Sequence, residues 1–285
     1  MSDWSLRRED LGLRTRAGAG AAVEGALVKG ALVEGAEGLP PPPHERAFDA
    51  AARFRVRLRR IADLQFGSIW ADLAALLPGV RGTLADVGAG AQPFRDLLSP
   101  EVRYTAVDIE EAEQRFGYRS LDTRYFCGAR LPLADGEVGT VLCTETLEHV
   151  DEPAAFLHEL RRVLSPAGRL ILTVPFAARW HFVPHDYWRF TPAGLQRVLV
   201  QAGFREIRVY ARGGALAVAG YKVWTLILLL LAGNGRRGRA GALARLLGAA
   251  LLPVGGIAVI AGHLGLKFPG TAEDTLGYTV LASVQ

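Results

Sequence analysis

The sequence TLADVGAGAQPF, at residues 83–94, decides the fold class of this chain. Its mostly apolar beginning predicts a buried β-strand at residues 83–87, and the glycines that follow predict a tight turn into a helix. Gly88 and Gly90 carry no Cβ atom, so the backbone can turn sharply there and a ligand can approach it closely. A strand, a Gly-x-Gly turn and a helix form the opening unit of a nucleotide-binding α/β domain. Such turns are common, so the interpretation depends on the residues that follow.

A second predicted strand, at residues 102–107, ends in Asp108. An acidic side chain at this position, roughly 20 residues after the glycine turn, can accept hydrogen bonds from ribose hydroxyls. A dinucleotide site expects a further glycine three residues after Gly90, where this chain has Pro93. The carboxylate of Asp86 favours a ligand with a positive group over a pyrophosphate, because like charges repel. These residues favour S-adenosylmethionine over NAD and leave an NAD-dependent oxidoreductase as the weaker alternative.

Composition and charge select no partner by themselves. The chain has 285 residues, 50% of them apolar, and a formal net charge of +4, which suits one large domain with appendages. A positive excess of this size does not distinguish an acidic membrane surface from other partners, and no nucleic acid is expected. Cys127 and Cys143 lie in apolar stretches, so we expect reduced core residues in a cytoplasmic protein. No secretory signal is expected at the N-terminus.

The first part of the chain is predicted to be a disordered, low-complexity tail at residues 1–43. Residues 23–37 repeat the unit VEGAL, VKGAL, VEGAE, and a five-residue period fits neither a helix face nor a strand face. From residue 44 to residue 77 the apolar pattern becomes helical, and Gly67 is predicted to break it into two helices. The arginine-rich start of this region either contacts acidic headgroups or forms a solvated helix face, which is the favoured interpretation.

Four segments together resemble the class I S-adenosylmethionine-dependent methyltransferases, in the small-molecule branch typified by quinone-biosynthesis enzymes. They occur in the family's order, as LADVGAGAQPF, YTAVDIE, ARLPLADGEVGTVLCTETLEHV and FLHELRRVLSPAGRLILTVPF. The resemblance implies an α/β fold with a Rossmann-like, seven-stranded, mostly parallel sheet, helices on both faces and an antiparallel last strand. It also implies a methyltransferase whose cofactor is S-adenosyl-L-methionine and whose partner is a small-molecule methyl acceptor. It does not indicate an oligomeric state.

The resemblance also assigns residues to the cofactor site. The residues expected to hold the amino-acid end and the ribose of the cofactor are Asp86, Gly88, Gly90 and Asp108. Ile109 is expected to pack on the adenine. The adenine pocket is expected to be lined by Gly128, Ala129, Arg130 and Leu131. The family often has an aspartate beside the adenine amino group, whereas this chain has Cys127, so adenine recognition is expected to rest on backbone groups.

Two histidines, His149 and His185, are the candidates for the base that an oxygen acceptor would need. His149 follows the predicted central strand at residues 140–144, and substrates of parallel sheets bind beyond such strand ends. His185 lies in an aromatic loop that forms either a substrate lid or a packed structure in which Asp186 pairs with Arg189. A carbon or nitrogen acceptor would need no base.

The spacing E-x-x-E-H, formed by Glu145, Glu148 and His149, has three possible meanings. A structural turn is the favoured one, and a role for His149 near the transferred methyl group is second. Some quinone O-methyltransferases with a similar spacing bind a divalent ion, but metal binding is the weakest alternative. We therefore expect no metal.

An apolar helical insertion is predicted at residues 211–270, between the last two strands. The methyltransferase domain then comprises residues 44–210 and 271–285. Two apolar runs, at residues 216–232 and 246–262, each approach the ~20 residues needed to span a bilayer.

The topology of the chain argues against a spanning hairpin. Both ends of the insertion return to one sheet, so spanning would carry the arginines between the two runs across the membrane, against the positive-inside rule. Residues 216–262 are therefore expected to rest in the cytoplasmic leaflet of a cytoplasmic protein that is peripheral on the inner face of the cytoplasmic membrane. A dimer interface or a lid is the structural alternative, and a membrane-docked cofactor-binding module without catalysis is the functional one.

Overall fold

A computed structural model gives the structure of the protein and describes residues 50–117, 120, 122–233, 238–267 and 274–285. The predicted disordered tail at residues 1–43 lies outside the described residues. So do Arg236 and Arg237, two of the arginines between the apolar runs. All of the described residues belong to one compact unit.

Seven strands form a single sheet. They are β1 (Thr83–Val87), β2 (Arg103–Ile109), β3 (Thr123–Phe126), β4 (Val138–Thr144), β5 (Leu164–Pro175), β6 (Arg205–Ala211) and β7 (Gly277–Ser283). Their order across the sheet is β3-β2-β1-β4-β5-β7-β6. The first five strands pair in parallel, and β7 is antiparallel to both β5 and β6. The predicted fold class, a Rossmann-like and mostly parallel sheet with an antiparallel last strand, is confirmed.

Helices cover both faces of this sheet. They are α1 (Ala50–Ala62), α2 (Leu64–Leu76), α3 (Ala112–Phe116), α4 (Pro153–Val163), α5 (Pro192–Gln201), α6 (Ala215–Leu231), α7 (Gly238–Ala250) and α8 (Leu252–Lys267). Because side chains of a strand alternate between faces, β1 contributes to two cores. Leu84 packs with α2, whereas Ala85 and Val87 pack with α4 and α5 on the opposite face.

The break between α1 and α2 falls at Asp63, so the prediction that it falls at Gly67 was wrong. The carboxylate of Asp63 accepts a hydrogen bond from the backbone N–H of Phe66, at 3.2 Å, and caps the second helix. Gly67 lies inside α2, where a Cβ atom would lie only 2.5 Å from the carbonyl oxygen of Arg60. The glycine permits a close approach of the two helices and does not end either of them.

The predicted helix after the glycine turn is replaced by a short 3₁₀ helix, Arg95–Leu97. Gln92 adopts a left-handed backbone conformation with φ of 56°, and its N–H bonds to the carbonyl of Ala89 in a closed turn. Pro100 then follows and cannot extend a helix. The strand and the turn were predicted correctly, but the length of the helix was not.

Among the residues that the structure describes between β6 and β7, there are three helices and not two. The second predicted apolar run is divided between α7 and α8, which meet at a bend of 54°. Pro253 stands in the first turn of α8, where its missing N–H leaves no helical hydrogen bond unmade. Among the described residues no single helix has the length and apolar character for a membrane span, although α7 and α8 together pass that test as a bent pair.

Candidate functional site

A cavity of about 1160 Å³ lies at the carboxyl ends of β1, β2 and β4. The glycine turn after β1 forms its floor, and α1, α2 and α6 contribute further walls. Ligands of open parallel sheets bind at this edge, where the strand order changes direction on either side of the first strand. The position of the cavity therefore agrees with the site that the glycine turn predicts.

Gly88 and Gly90, two of the residues expected to hold the cofactor, line the cavity. Gly88 has a φ of 74°, and its N–H donates to the carbonyl of Val107 at 2.9 Å. A methyl group at this position would overlap the side chain of Thr146. Both the backbone conformation and the available space therefore require glycine.

Asp108 fixes the glycine turn to the end of β2. Its Oδ2 accepts a hydrogen bond from the N–H of Gly90 at 2.9 Å, and its Oδ1 accepts one from the N–H of Ile109 at 2.8 Å. Asp108 and Ile109 both line the cavity, and their contacts with the ribose and the adenine stay predictions. A carboxylate oxygen can accept more than one hydrogen bond, so Asp108 retains acceptor capacity for a ligand hydroxyl.

Asp86 lies beneath the glycine turn and is not among the residues that line the cavity. Strand alternation places it on the same face as Leu84, where its Oδ2 accepts a hydrogen bond from the Tyr104 hydroxyl at 2.7 Å. Its Oδ1 is buried and has no hydrogen-bond partner within the part of the chain that the structure describes. Burial raises the pKa of Asp86 to about 7, although the Tyr104 hydrogen bond opposes this shift. The structure thus places Asp86 beneath the turn, and its direct contact with the cofactor stays a prediction.

The segment predicted to line the adenine pocket divides into two halves. Gly128 and Ala129 line the cavity, whereas Arg130 and Leu131 do not. Arg130 is exposed, and Leu131 is buried in the core under α4. The chain leaves the sheet edge after Ala129 and turns inward, so Arg130 and Leu131 lie outside the lining of this cavity, and the contacts to the adenine stay a prediction.

Cys127 is exposed and lines the cavity, so the prediction that it is a core residue was wrong. It follows the last residue of β3, at the carboxyl edge of the sheet. Cys143 is buried within β4, as predicted.

His149 lines the cavity at the end of a 3₁₀ helix, Leu147–His149. Its Nδ1 lies 2.6 Å from the carbonyl oxygen of His185. Because a carbonyl can only accept, Nδ1 carries the hydrogen and Nε2 carries the lone pair. Burial lowers the pKa of His149 to about 4, and the nearby charge of His181 acts in the same direction. His149 is therefore neutral near pH 7 and can accept a proton at Nε2.

His185 does not line the cavity, unlike the other candidate base. Its ring Nδ1 lies 3.1 Å from the Tyr187 hydroxyl, and its backbone carbonyl orients His149. The histidine of the aromatic loop that does line the cavity is His181, which the sequence suggests as part of a substrate lid but not as a candidate base. Its centroid lies 5.0 Å from that of His149. The structure thus gives His185 a positioning contact and places His181 beside the candidate base.

The predicted pairing of Asp186 with Arg189 is confirmed. The two side chains form a bidentate ion pair, with N–O distances of 2.6 and 2.8 Å. Asp186 also accepts a hydrogen bond from the N–H of His181 at 3.0 Å, and its side chain is fully buried. Although burial opposes it, hydrogen bonds from Arg189 and His181 hold the pKa of Asp186 below its ordinary value. This ion pair fixes the aromatic loop. The hydrogen bond from the N–H of His181 to Asp186 fixes the position of His181 as well.

Glu148 is a fully buried carboxyl group, and neither of its oxygens has a hydrogen-bond partner among the described residues. Burial and the charge of Glu145 raise its pKa well above the ordinary value. Glu148, His149 and His181 each place one potential metal ligand within 4.8 Å of the others. Glu145, in contrast, binds Arg212 at 2.9 Å. That no metal binds here stays a prediction.

A family model described as "Methyltransferase domain" matches residues 85–172. Residues 85–172 are a methyltransferase domain. The matched segment runs from β1 to β5 and contains the glycine turn, Asp108 and His149. S-adenosylmethionine is the cofactor of this domain.

Two curated relatives support this identification of the methyltransferase domain. The chain is 31% identical over 146 residues to malonyl-[acyl-carrier protein] O-methyltransferase from Alcanivorax borkumensis, covering 44% of this chain and 49% of that protein. It is 26% identical over 137 residues to the ubiquinone/menaquinone biosynthesis C-methyltransferase UbiE from Desulfotalea psychrophila, covering 45% and 56% respectively. The chain thus spans about half the length of these curated relatives.

A solved structure is also similar to the methyltransferase domain and its surroundings. It is phosphoethanolamine N-methyltransferase 2 from Haemonchus contortus, in complex with S-adenosyl-L-methionine. The identity is 13%, the TM-score is 0.43, and the match covers 76% of this chain and 52% of that one.

The residues of the methyltransferase domain fit the cofactor on two grounds. Gly90 places a residue without a side chain on the cavity lining, so a ligand can approach the backbone of the turn closely. Asp108 presents a fixed carboxylate at the end of the second strand, where a ribose hydroxyl can donate to it. Gly88, Gly90, Asp108 and Ile109 are the residues that would hold S-adenosylmethionine.

Proposed function

We propose that the protein transfers a methyl group from S-adenosylmethionine to a small, lipophilic acceptor at a membrane surface. The observation that carries this proposal is the continuity of one cavity from the glycine turn to the apolar helix α6. Cavities of about 300–1,000 Å³ hold one drug-sized ligand. A cavity of about 1160 Å³ therefore leaves room for an acceptor beside the cofactor.

The character of the cavity wall away from the glycine turn favours a lipophilic acceptor. Most of its side chains there are aliphatic or aromatic and come from α1, α2 and α6. They include Val56, Leu58, Phe66, Ile69, Trp224 and Leu228. Such a wall favours an apolar body on the acceptor, because burial of apolar surface is the main source of its affinity.

When bound, S-adenosylmethionine supplies an electrophilic methyl group. The residues of the chain have to align the acceptor with that group and exclude water. If the acceptor atom is a hydroxyl oxygen, Nε2 of His149 would take its proton while the methyl carbon exchanges its bond to the cofactor's sulfur for a bond to that oxygen. The carbonyl of His185 holds the imidazole in the tautomer that this step needs.

The composition of the helices after β6 supports the membrane location. Residues 211–267 contain no aspartate or glutamate. Large apolar side chains on α7 and α8 are exposed, and Arg239 and Arg245 are exposed beside them. Basic residues next to an apolar surface are suited to the anionic cytoplasmic leaflet, so we place the protein on the inner face of the cytoplasmic membrane.

Methyl transfer is tested with S-adenosylmethionine carrying a labelled methyl group. The full chain is incubated with a lipid extract and, separately, with a water-soluble metabolite extract. Label in the lipid fraction alone supports the proposal, whereas label in the aqueous fraction alone contradicts the lipophilic acceptor. Binding of the cofactor without turnover in either extract would instead favour the catalytically inactive binding module.

The membrane location is tested by sedimentation with lipid vesicles. The full chain should sediment with vesicles that contain phosphatidylglycerol and remain largely in solution with phosphatidylcholine alone. A chain that lacks residues 216–262 and still sediments would contradict the proposal, provided that it binds S-adenosylmethionine and is therefore folded.

A further inference from the structure

We infer that the acceptor enters the cavity from the lipid side, between α1 and α6, as an amphiphile dissolved in the bilayer. Its polar head reaches the cavity lined by His149, while its apolar tail stays at the mouth. This inference rests on the proposed function and adds the entry route and the shape of the substrate.

The exposed apolar face of α1 is the first observation. Phe54, Leu58 and Ile61 follow one another at helical spacing and are all more than half exposed. Leu58, at 55% exposure, also lines the cavity. Among the described residues it is the only exposed large apolar side chain of the lining. The cavity therefore reaches the surface at an apolar edge of α1.

The apolar face of α1 continues onto α8. The ring Nε2 of His263 lies 2.8 Å from the carbonyl oxygen of Ile61, which joins the two helices at the end of that face. From there α8 presents an exposed stripe that includes Ile257 and Ile260. Exposed large apolar side chains that adjoin one another on two helices are typical of an interaction surface.

The contact between α6 and α8 indicates that lipid covers this surface. Gly220 packs on the backbone of Ala258, and Gly265 packs on the backbone of Ala217. The small residues thus face the partner helix, while large apolar residues point outward. Helices that associate within lipid use small residues at their contacts in this way.

The charges at the edge of the surface select an anionic lipid leaflet as its occupant. Arg57 and Arg60 of α1 are exposed, as are Arg239 and Arg245 of α7. Neither α1 nor residues 211–267 contain an acidic side chain. The complementary partner is therefore an anionic phospholipid surface and not a second copy of the same basic face.

Three charged and exposed residues of the cavity lining lie on elements other than α1 and α6, and we assign the approach of the cofactor to them. They are Arg115 on α3, and Asp151 and Glu152 after the 3₁₀ helix that follows β4. A water-soluble cofactor suits this polar part of the lining. A lipid-dissolved acceptor suits the part formed by Leu58.

The experiment uses a palmitic acid with a diazirine on its chain, dissolved in vesicles of phosphatidylcholine and phosphatidylglycerol. The full chain is bound to the vesicles and irradiated, and labelled residues are mapped by peptide mass spectrometry. We expect label on Trp224 and Leu228 inside the cavity as well as on the outer residue Ile257. Label on Ile257 with none on Trp224 and Leu228 would overturn the inference.

A matched pair of variants tests the entry route. Leu58→Arg places a charge at the mouth and should lower the labelling of Trp224 and Leu228 about tenfold per bound protein, since a charge in lipid is costly. Val200→Arg adds the same charge at an apolar residue of similar exposure, 57%, on α5, and should leave the labelling unchanged. Equal labelling in both variants would contradict entry at Leu58.

Calorimetry with S-adenosylmethionine separates this inference from the proposed function. Both variants should bind the cofactor as the unchanged chain does, which also shows that they are folded. Loss of the internal label with intact cofactor binding supports the entry route. An unchanged chain that fails to bind the cofactor would contradict the proposed function, whatever the labelling pattern.

Discussion

The carboxylate of Asp108 accepts a hydrogen bond from the backbone N–H of Gly90, with an N–O distance of 2.9 Å. This bond ties the end of the second strand to the turn that follows the first strand, 18 residues earlier in the chain. One side chain thus fixes the shape of the glycine turn and presents an acceptor to the cavity.

Replacement of Asp108 by alanine should weaken S-adenosylmethionine binding, because the turn loses its anchor and the ribose loses an acceptor. Hydrogen bonds to charged groups contribute about 1.5–3 kcal/mol, so we expect the Kd to rise by roughly 10- to 100-fold. Isothermal titration calorimetry gives this value directly. Asp135→Ala, at an exposed carboxylate outside the cavity lining, is the matched control. An unaltered Kd in Asp108→Ala would remove Asp108 from the cofactor site.

Gly88→Ala should destabilise the fold and abolish cofactor binding. The φ of 74° costs about 1–3 kcal/mol for a side chain, and the new methyl group would also overlap Thr146. Gly82→Ala is a close control, since Gly82 has a φ of 76° and open space around its Cβ position. The difference between the two variants in urea unfolding isolates the steric effect at Gly88. Equal losses would show that Thr146 moves aside.

The lowered pKa of His149 predicts acid sensitivity of the fold. In the unfolded chain this imidazole gains a proton near pH 6.5, whereas in the folded protein it does so only near pH 4. Between these values the unfolded state binds more protons, so stability falls as the pH is lowered, by up to about 3 kcal/mol. Urea unfolding at several pH values should show a smaller fall in His149→Asn. An identical pH dependence in both proteins would contradict the assigned shift.

Asp86 should show the opposite dependence on pH. Its folded pKa of about 7 lies above the unfolded value of 3.8, so the folded state holds the proton more tightly between these values and stability falls as the pH rises through this range. Asp86→Asn keeps a neutral acceptor for Tyr104 and should be more stable than the unchanged chain by about 2–4 kcal/mol above pH 7. Urea unfolding below and above pH 7 measures the difference.

The same Asp86→Asn variant tests where the carboxyl group lies relative to the cofactor. Since Asp86 is outside the cavity lining, we expect a smaller loss of S-adenosylmethionine affinity than in Asp108→Ala. A larger loss would instead support the direct contact that the sequence resemblance predicts.

The strands and the glycine turn could be predicted from the sequence because their signals are local. An apolar run followed by two glycines specifies both the strand at residues 83–87 and the positive φ values after it. The direction of Asp86 was also accessible, because strand alternation places it on the face of Leu84 and away from Val87. The prediction that Asp86 contacts the cofactor follows from the family resemblance and not from the period of two along the strand.

The remaining features depend on contacts between distant parts of the chain. His181 joins the cavity because Asp186 holds it, and no spacing rule distinguishes it from His185. Gly67 resembled a helix break, whereas its role is set by the carbonyl of Arg60 in the neighbouring helix. Tertiary contacts therefore determine both the position of His181 and the role of Gly67, and local sequence patterns do not reveal them.

The separate approaches that we propose for the cofactor and the acceptor have a kinetic consequence. When each substrate has its own approach, neither has to leave before the other can exchange. Methyl donor and acceptor would then bind in random order, and the demethylated product could be replaced while the acceptor remains bound. With the proposed lipid acceptor, such an arrangement would permit several successive methylations of one molecule during a single residence at the membrane.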